Sequence, residues 1–334
     1  EKRQVEEAII SIDEVNTRAN RLRWILGHTM TAGGAFELRR QELALLEGME
    51  VAKIDDEAVV QSFLKSVDED GVVFEYLKES VLLAPVGPYL FVHGGIPKDA
   101  IRWIPSMQMR YLSPAEGDTC EGTKLPPSCG FHEWVNEMNS FFQSGLKDFR
   151  SQPLWRKDRS RGGEALLCLT STPACFRRSV VVESLLEGGM PTSLYPEVVE
   201  FLQSGGIKAV FCGHKPCGDS PFVVRSRVSF IHCDTTYSDV KASDQRGRAV
   251  AAVEASLETP EVLLRGILAD GRQYHFSLLG TDADDLVGYR TPDGAYVKAK
   301  LLDESYLMVS GDGARKLCYT TLSREEAESA VVSV

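Results

Sequence analysis

With 334 residues, 43% of them hydrophobic and 25% charged, the chain has the make-up of an ordinary globular protein of about two domains, which excludes disorder and fibrous repeats. Acidic residues outnumber basic ones 48 to 37, and the formal charge of -11 repels a polyanion, so long nucleic acids are poor partners.

From Val5 to about Leu46 apolar residues recur at three- and four-residue steps, broken at Thr31-Ala-Gly-Gly34, which predicts two helices joined by a glycine turn. Asp55-Asp-Glu57 starts another, because carboxylates favour the positive end of a helix dipole. At Tyr89–Val92 the texture changes to a short buried strand that runs into His93-Gly94-Gly95. Residues 101–130 read as irregular. Phe131–Phe149 is helical again, as is the stretch after Arg161-Gly-Gly163. A helix over Leu194–Gln203, capped by Gly205-Gly206, leads to the strand Ile207–Cys212, which ends at Gly213-His214-Lys-Pro216. Strands follow at Phe222–Arg225 and Val228–Cys233. From Val250 onward alternation dominates, punctuated by Asp270-Gly271, Asp293-Gly294 and Asp312-Gly313 turns, with a linker expected at Gly280–Val287.

No apolar run approaches the ~18 residues of a membrane span; the best, Val81–Ile96, is interrupted by Pro85, Gly87 and Pro88. The eight cysteines are scattered and form no CxxC pair, which reads as reduced, mostly structural thiols. Together with an opening that lacks signal or transit character, this predicts a cytoplasmic protein without membrane contact.

Two buried strands thus each end at a histidine among glycines, His93 with Gly94 and Gly95, and His214 after Gly213. Glycine admits close backbone approach and neutral imidazole is the usual nitrogen ligand of a transition metal, so the coincidence predicts a joint metal site. Arg161 and Arg178 are candidates for gripping phosphate oxygens, with a solvated surface role as the plain alternative. Asp234 and Tyr237 follow the second turn closely enough to support its histidine. His28, His132, His232 and His275 read as structural or surface residues.

Phe91-Val-His-Gly-Gly-Ile96 and Phe211-Cys-Gly-His-Lys-Pro216 resemble the fourth and fifth blocks of the calcineurin-like metallophosphoesterases, in their phosphoprotein-phosphatase-like branch, and Cys233-Asp-Thr-Thr-Tyr-Ser-Asp239 resembles the loop that closes their site. The resemblance covers roughly residues 80–239. It implies an α/β fold, a calcineurin-like β-sandwich core flanked by helices over 1–243, with a β-rich accessory region over 244–334. It further implies hydrolysis of phosphoric monoesters, on a phosphorylated small molecule or a phosphoprotein, at a centre of two divalent ions (manganese, iron or zinc), with His93 and His214 as metal ligands. The family's first three blocks, DxH, GDxxDR and GN, are absent. The resemblance therefore implies a C-terminal half whose missing blocks lie upstream of Glu1, holding at most one partial metal site. Two other readings stay open: an inactive scaffold of the same fold, and a single structural ion held by His93, His214 and a carboxylate such as Asp234.

Overall fold

The computed structural model describes residues 15–30, 32–110, 120–153, 162–192, 194–235, 249–311 and 317–331. The chain forms two compact units that divide after Ser80, whereas residues beyond 243 do not separate from the rest of the second unit. The protein is mixed α/β. Among the described residues no helix is long and apolar enough to cross a membrane.

The first unit is helical: α1 (Arg18–Trp24) runs into a π-turn at Ile25–Thr29, followed by α2 (Ala35–Glu47), α3 (Asp56–Ser66) and α4 (Val72–Lys78). The glycine break falls where expected, with Gly34 at φ +88°, and Asp55 caps α3 by accepting from the Ala58 amide at 2.7 Å. Phe36, Ala44, Ile54, Val59 and Val60 form the core. The Arg23 guanidinium lies 3.9 Å over the Phe36 ring, and the Asp56 carboxylate accepts from both Arg23 and Arg40.

The second unit is built on a five-stranded sheet. Its strands are β1 (Leu83–Val86), β2 (Tyr89–Val92), β7 (Ala209–Cys212), β9 (Ser229–His232) and β8 (Phe222–Val224), in that spatial order. β2, β7 and β9 are parallel, and the edges β1 and β8 are antiparallel. A sheet with parallel strands needs both faces covered, which is why β7 is apolar throughout rather than alternating. One face, through Leu90, Val92, Val210 and Phe230, packs on the helices α5 (Phe131–Ser151) and α8 (Pro196–Ser204), which contribute Trp134, Met138, Val199 and Leu202. The other, through Tyr89, Phe211, Val223 and Ile231, packs on the C-terminal sheets.

Those are two antiparallel meanders, β10 (Val250–Ala255), β11 (Val262–Ile267) and β12 (Gln273–Ser277), then β13 (Tyr296–Lys300), β14 (Tyr306–Gly311) and β15 (Leu317–Leu322). Gly271 at φ +91° and Gly294 at φ +94° sit in the expected turns. The expected linker at 280–287 is instead packed. Leu286 and Val287 are buried, and the Asp284 carboxylate accepts from their amides and from the Tyr306 hydroxyl. A polar Thr-Asp-Ala-Asp-Asp run reads as solvated, but here one aspartate caps the segment that turns the chain into the core.

Between β2 and β7 lie the hairpins β3 (Trp103–Pro105) with β4 (Gly122–Lys124) and β5 (Leu186–Glu187) with β6 (Met190–Pro191), and the helices α6 (Glu164–Ser171) and α7 (Pro173–Phe176). A capped helix, α9 (Arg324–Ala330), comes after β15.

Candidate functional site

In a sheet of this kind ligands bind beyond the carboxyl ends of the parallel strands. The residues following β2, β7 and β9 are His93, Gly213-His214 and Cys233-Asp234, so three adjacent strands deliver the predicted residues to one edge. His214 Nδ1 and His93 Nε2 are 3.4 Å apart, with the rings at 65° to each other. His93 is exposed and His214 half-buried.

Backbone hydrogen bonds set this approach. The Gly213 amide donates to the His93 carbonyl at 2.9 Å, and the Cys217 amide donates to the Asp234 carbonyl at 3.2 Å. His214 itself stands at φ +72°, a left-handed conformation that an L-residue keeps only when its surroundings hold it there. Part of that hold comes from β13, which sequence reasoning missed. Lys298, fully buried in that strand, donates from Nζ to the Cys217 carbonyl at 2.7 Å. At Gly213 a Cβ would sit 3.6 Å from both Asp234 Cβ and the His93 carbonyl, so the three segments are in van der Waals contact.

Burial lowers the His214 pKa first, and the neighbouring His93 and Lys215 lower it further, against the opposing pull of Asp234 and Glu183. A depressed pKa keeps this imidazole neutral at neutral pH, the state that can donate a lone pair. Two nitrogens bound to one ion at ~2.0–2.1 Å with a tetrahedral angle lie about 3.3–3.4 Å apart, so the His93–His214 spacing suits a shared ion. Among the described residues, however, no three His, Cys, Asp or Glu side chains converge as a ligand set. The single structural ion held by His93, His214 and Asp234 is therefore not supported by the geometry.

Gly94 and Gly95 serve a different purpose from the close ligand approach expected of them. The Gly94 amide donates to the Val180 carbonyl at 2.9 Å and the Gly95 amide to the Glu183 carbonyl. A Cβ on Gly94 would lie 2.5 Å from the Glu183 carbonyl and 2.7 Å from that of Val181. The glycines let the 180–185 segment lie against the turn. Arg178 is absent from this constellation: its guanidinium is 5.4 Å from the Trp103 ring. Arg161 and Tyr237 lie outside the described residues. His28 Nδ1 donates to the Trp24 carbonyl within the first unit's π-turn, His132 and His275 are exposed, and His232 is buried at the end of β9, beside Cys212 of β7.

Beside the histidines a cavity of about 740 Å³ runs along the sheet, lined by Ala84, Phe91, Phe211, Cys233, Ala251 and Val253 among others, with His93 and Gly213 at its rim. Phe91 and Phe211 stack in it with ring centroids 4.8 Å apart. Phe91 reads from the sequence as one more apolar strand residue, yet it is exposed in this cavity.

Comparison with known proteins finds no matching family model, no matching curated protein and no matching solved structure.

Proposed function

We propose that this chain is the histidine-bearing part of a calcineurin-like metallophosphoesterase that hydrolyses phosphoric monoesters carried by a small molecule or a protein. The observation that carries the reading is the meeting of His93 Nε2 and His214 Nδ1 at 3.4 Å, beyond the ends of two adjacent parallel strands. His93 and His214 would hold one divalent ion, for which imidazole donors suit manganese, iron or zinc. Such an ion, with a second one, supplies the charge that holds phosphoryl oxygens and acidifies the attacking water. The protein's own part is to fix the two nitrogens. The Gly213–His93 and Cys217–Asp234 backbone hydrogen bonds set the turns, and the depressed pKa of His214 keeps its lone pair available. With two ligands from the described residues, this stretch makes at most one partial site, and the remaining carboxylates of a two-ion centre would come from elsewhere.

A second reading, a binding or scaffolding protein of the same fold, draws on Gly94 and Gly95, whose amides are committed to the 180–185 segment rather than turned toward a ligand. Metal titration of the chain, His93→Ala and His214→Ala, alongside hydrolysis of an aryl phosphate in added manganese, separates the two. The metalloenzyme reading expects each substitution to weaken Zn²⁺ or Mn²⁺ binding at least tenfold. Affinity unchanged in both variants would overturn it and leave the scaffold.

A further inference from the structure

The cavity beside the histidines differs in chemistry along its length. Phe91 and His93 stand two residues apart, the period at which strand side chains share a face, and both line the cavity. The Phe91 ring stacks on Phe211 at an interplanar angle of 15°, and Tyr89 meets Phe211 edge-on at 5.7 Å. Phe211 is only 6% exposed, whereas Phe91 is 40% exposed, so the last ring of the row presents its surface to the cavity. The β10 side is made by Ala251, Val253 and Ala255, alternate residues with small side chains. The Tyr89 hydroxyl shares its proton between the Ser256 and Glu261 carbonyls, at 2.9 and 3.1 Å, and so ties the turn after β10 to the sheet.

These walls select an occupant. Among the described residues that line the cavity there is no Asp, Glu, Lys, Arg, Ser, Thr, Asn or Gln. A sugar would bury hydroxyls there without partners, and a peptide would bury its amides. A further strand is also refused by β1, the edge of the sheet on this side. The Asn139 side chain accepts from the Leu82 and Leu83 amides at 3.0 Å and donates to the Leu83 carbonyl at 2.8 Å, and Pro85 has no amide to offer. A flat aromatic group needs none of these partners and can stack on Phe91 as Phe211 does. About 740 Å³ lies within the ~300–1,000 Å³ of small-molecule sites. Successive residues on one face of a strand are ~6.6 Å apart, so a substituent on a ring seated against Phe91 reaches toward the imidazole of His93.

We propose that this cavity seats an uncharged aromatic group of the substrate, which makes the substrate a small aryl phosphomonoester. Its ring stacks on Phe91, and its phosphate lies at the mouth beside His93 and His214. In hydrolysis the water oxygen bonds to phosphorus, the bond from phosphorus to the aryl oxygen breaks, and that oxygen leaves with one of the water's protons as a phenol. Phe91 touches the substrate but none of the reacting atoms, so its part is specificity. The phosphate end of the inference rests on the phosphoesterase reading, whereas the ring end rests on the cavity alone.

The test probes the two ends separately, with 2-naphthol and inorganic phosphate, and together, with 2-naphthyl phosphate. It compares the full chain with Ala251→Phe, which fills the cavity from β10, and Ala252→Phe, which puts the same bulk on the other face of that strand. Titration of 2-naphthol without metal, followed by its fluorescence, should saturate, and Ala251→Phe should weaken it by about tenfold or more while Ala252→Phe leaves it unchanged. In added Mn²⁺, 2-naphthyl phosphate should bind about tenfold or more tighter than inorganic phosphate. Ala251→Phe should remove that advantage without moving the affinity for inorganic phosphate. No saturable binding of 2-naphthol, no effect of Ala251→Phe, or equal losses in the two variants would overturn the proposal. Binding of 2-naphthol that keeps this pattern, with phosphate binding indifferent to His93→Ala and His214→Ala, would instead overturn the phosphoesterase reading and the phosphate end with it.

Discussion

His232 makes the second unit acid-sensitive in a way that can be calculated. It is 1% exposed at the end of β9, its Nδ1 3.5 Å from the Cys212 sulfur, and burial, helped by the Lys298 charge, lowers its pKa from 6.5 to about 4. The folded state then binds the proton more weakly than the unfolded state. Above about pH 6.5 neither state is protonated there and the group contributes nothing to the pH dependence. Below it the unfolded chain takes up a proton that the folded chain refuses, so stability falls with pH until the folded group also protonates near 4. The limiting loss is about 3 kcal/mol, at ~1.36 kcal/mol for each pH unit between the unfolded and folded pKa, and about 2.5 kcal/mol of it accrues between about pH 7.5 and 4.5. His232→Asn removes the titration and keeps a polar atom near Nδ1. Its constant cost for the smaller side chain cancels when slopes are compared. The assay is urea unfolding across this range, followed by the buried Trp103 and Trp134. The variant should lose about 2.5 kcal/mol less than the parent on acidification, and parallel curves would refute the reasoning.

Other substitutions probe the remaining parts. Lys298→Met keeps the buried stem and deletes a charge whose solvation is lost on folding. Unfolding free energy should therefore change by only ~1 kcal/mol, while amide exchange at Gly213 and Cys217 quickens as the Cys217 carbonyl is released; a loss above ~3 kcal/mol would show the ammonium to be a net stabiliser. Gly94→Ala drives a methyl against three backbone carbonyls, those of Val180, Val181 and Glu183, and should cost about 2–3 kcal/mol in thermal or urea unfolding, an expectation defeated by a stable, unshifted variant. In the first unit, Asp56 is held well below the usual carboxylate range chiefly by its hydrogen bond to Arg23, then by Arg40. Its stabilisation is present above the ordinary carboxylate pKa of 3.8 and is lost as pH falls. Since the side chain is about half exposed, Asp56→Asn should cost only ~0.5–1.5 kcal/mol in low salt and less in ~0.5 M salt, measured by helical circular dichroism on melting.

How much of the fold is legible in the sequence depends on how local each signal is. β7 is readable because a run of apolar residues bounded by glycines has few other uses, and the Asp270-Gly271 and Asp293-Gly294 turns announce their hairpins by the positive φ that glycine supplies. α9 carries an equally local signal, since Ser323 and Glu326 form a capping box whose spacing alone marks a helix start, although the alternating strands before it mask the change of period. Lys298 carries none. In Tyr296–Lys300 a lysine at an alternating position looks solvent-facing, and only the fold of the 216–221 segment onto β13 gives its ammonium a carbonyl.

The two histidines sit between these cases. Each strand-to-glycine turn is a local signal, but 121 residues separate His93 from His214, and their meeting depends on β2 and β7 being neighbours in the sheet. Parallel neighbours whose ends coincide in register, Phe91 opposite Phe211, must deliver their succeeding turns to the same edge. The stacking of those two rings carries that register into the side chains. A residue two positions past Phe91 and one three positions past Phe211 then converge only if the second turn folds back by one residue, and His214 at φ +72° is where the backbone makes that adjustment. The left-handed residue, the Gly213 amide on the His93 carbonyl and the Lys298 tether on Cys217 thus serve one geometric end, the approach of two imidazoles. Removing the tether should therefore be felt at His214 before it is felt in the stability of the sheet.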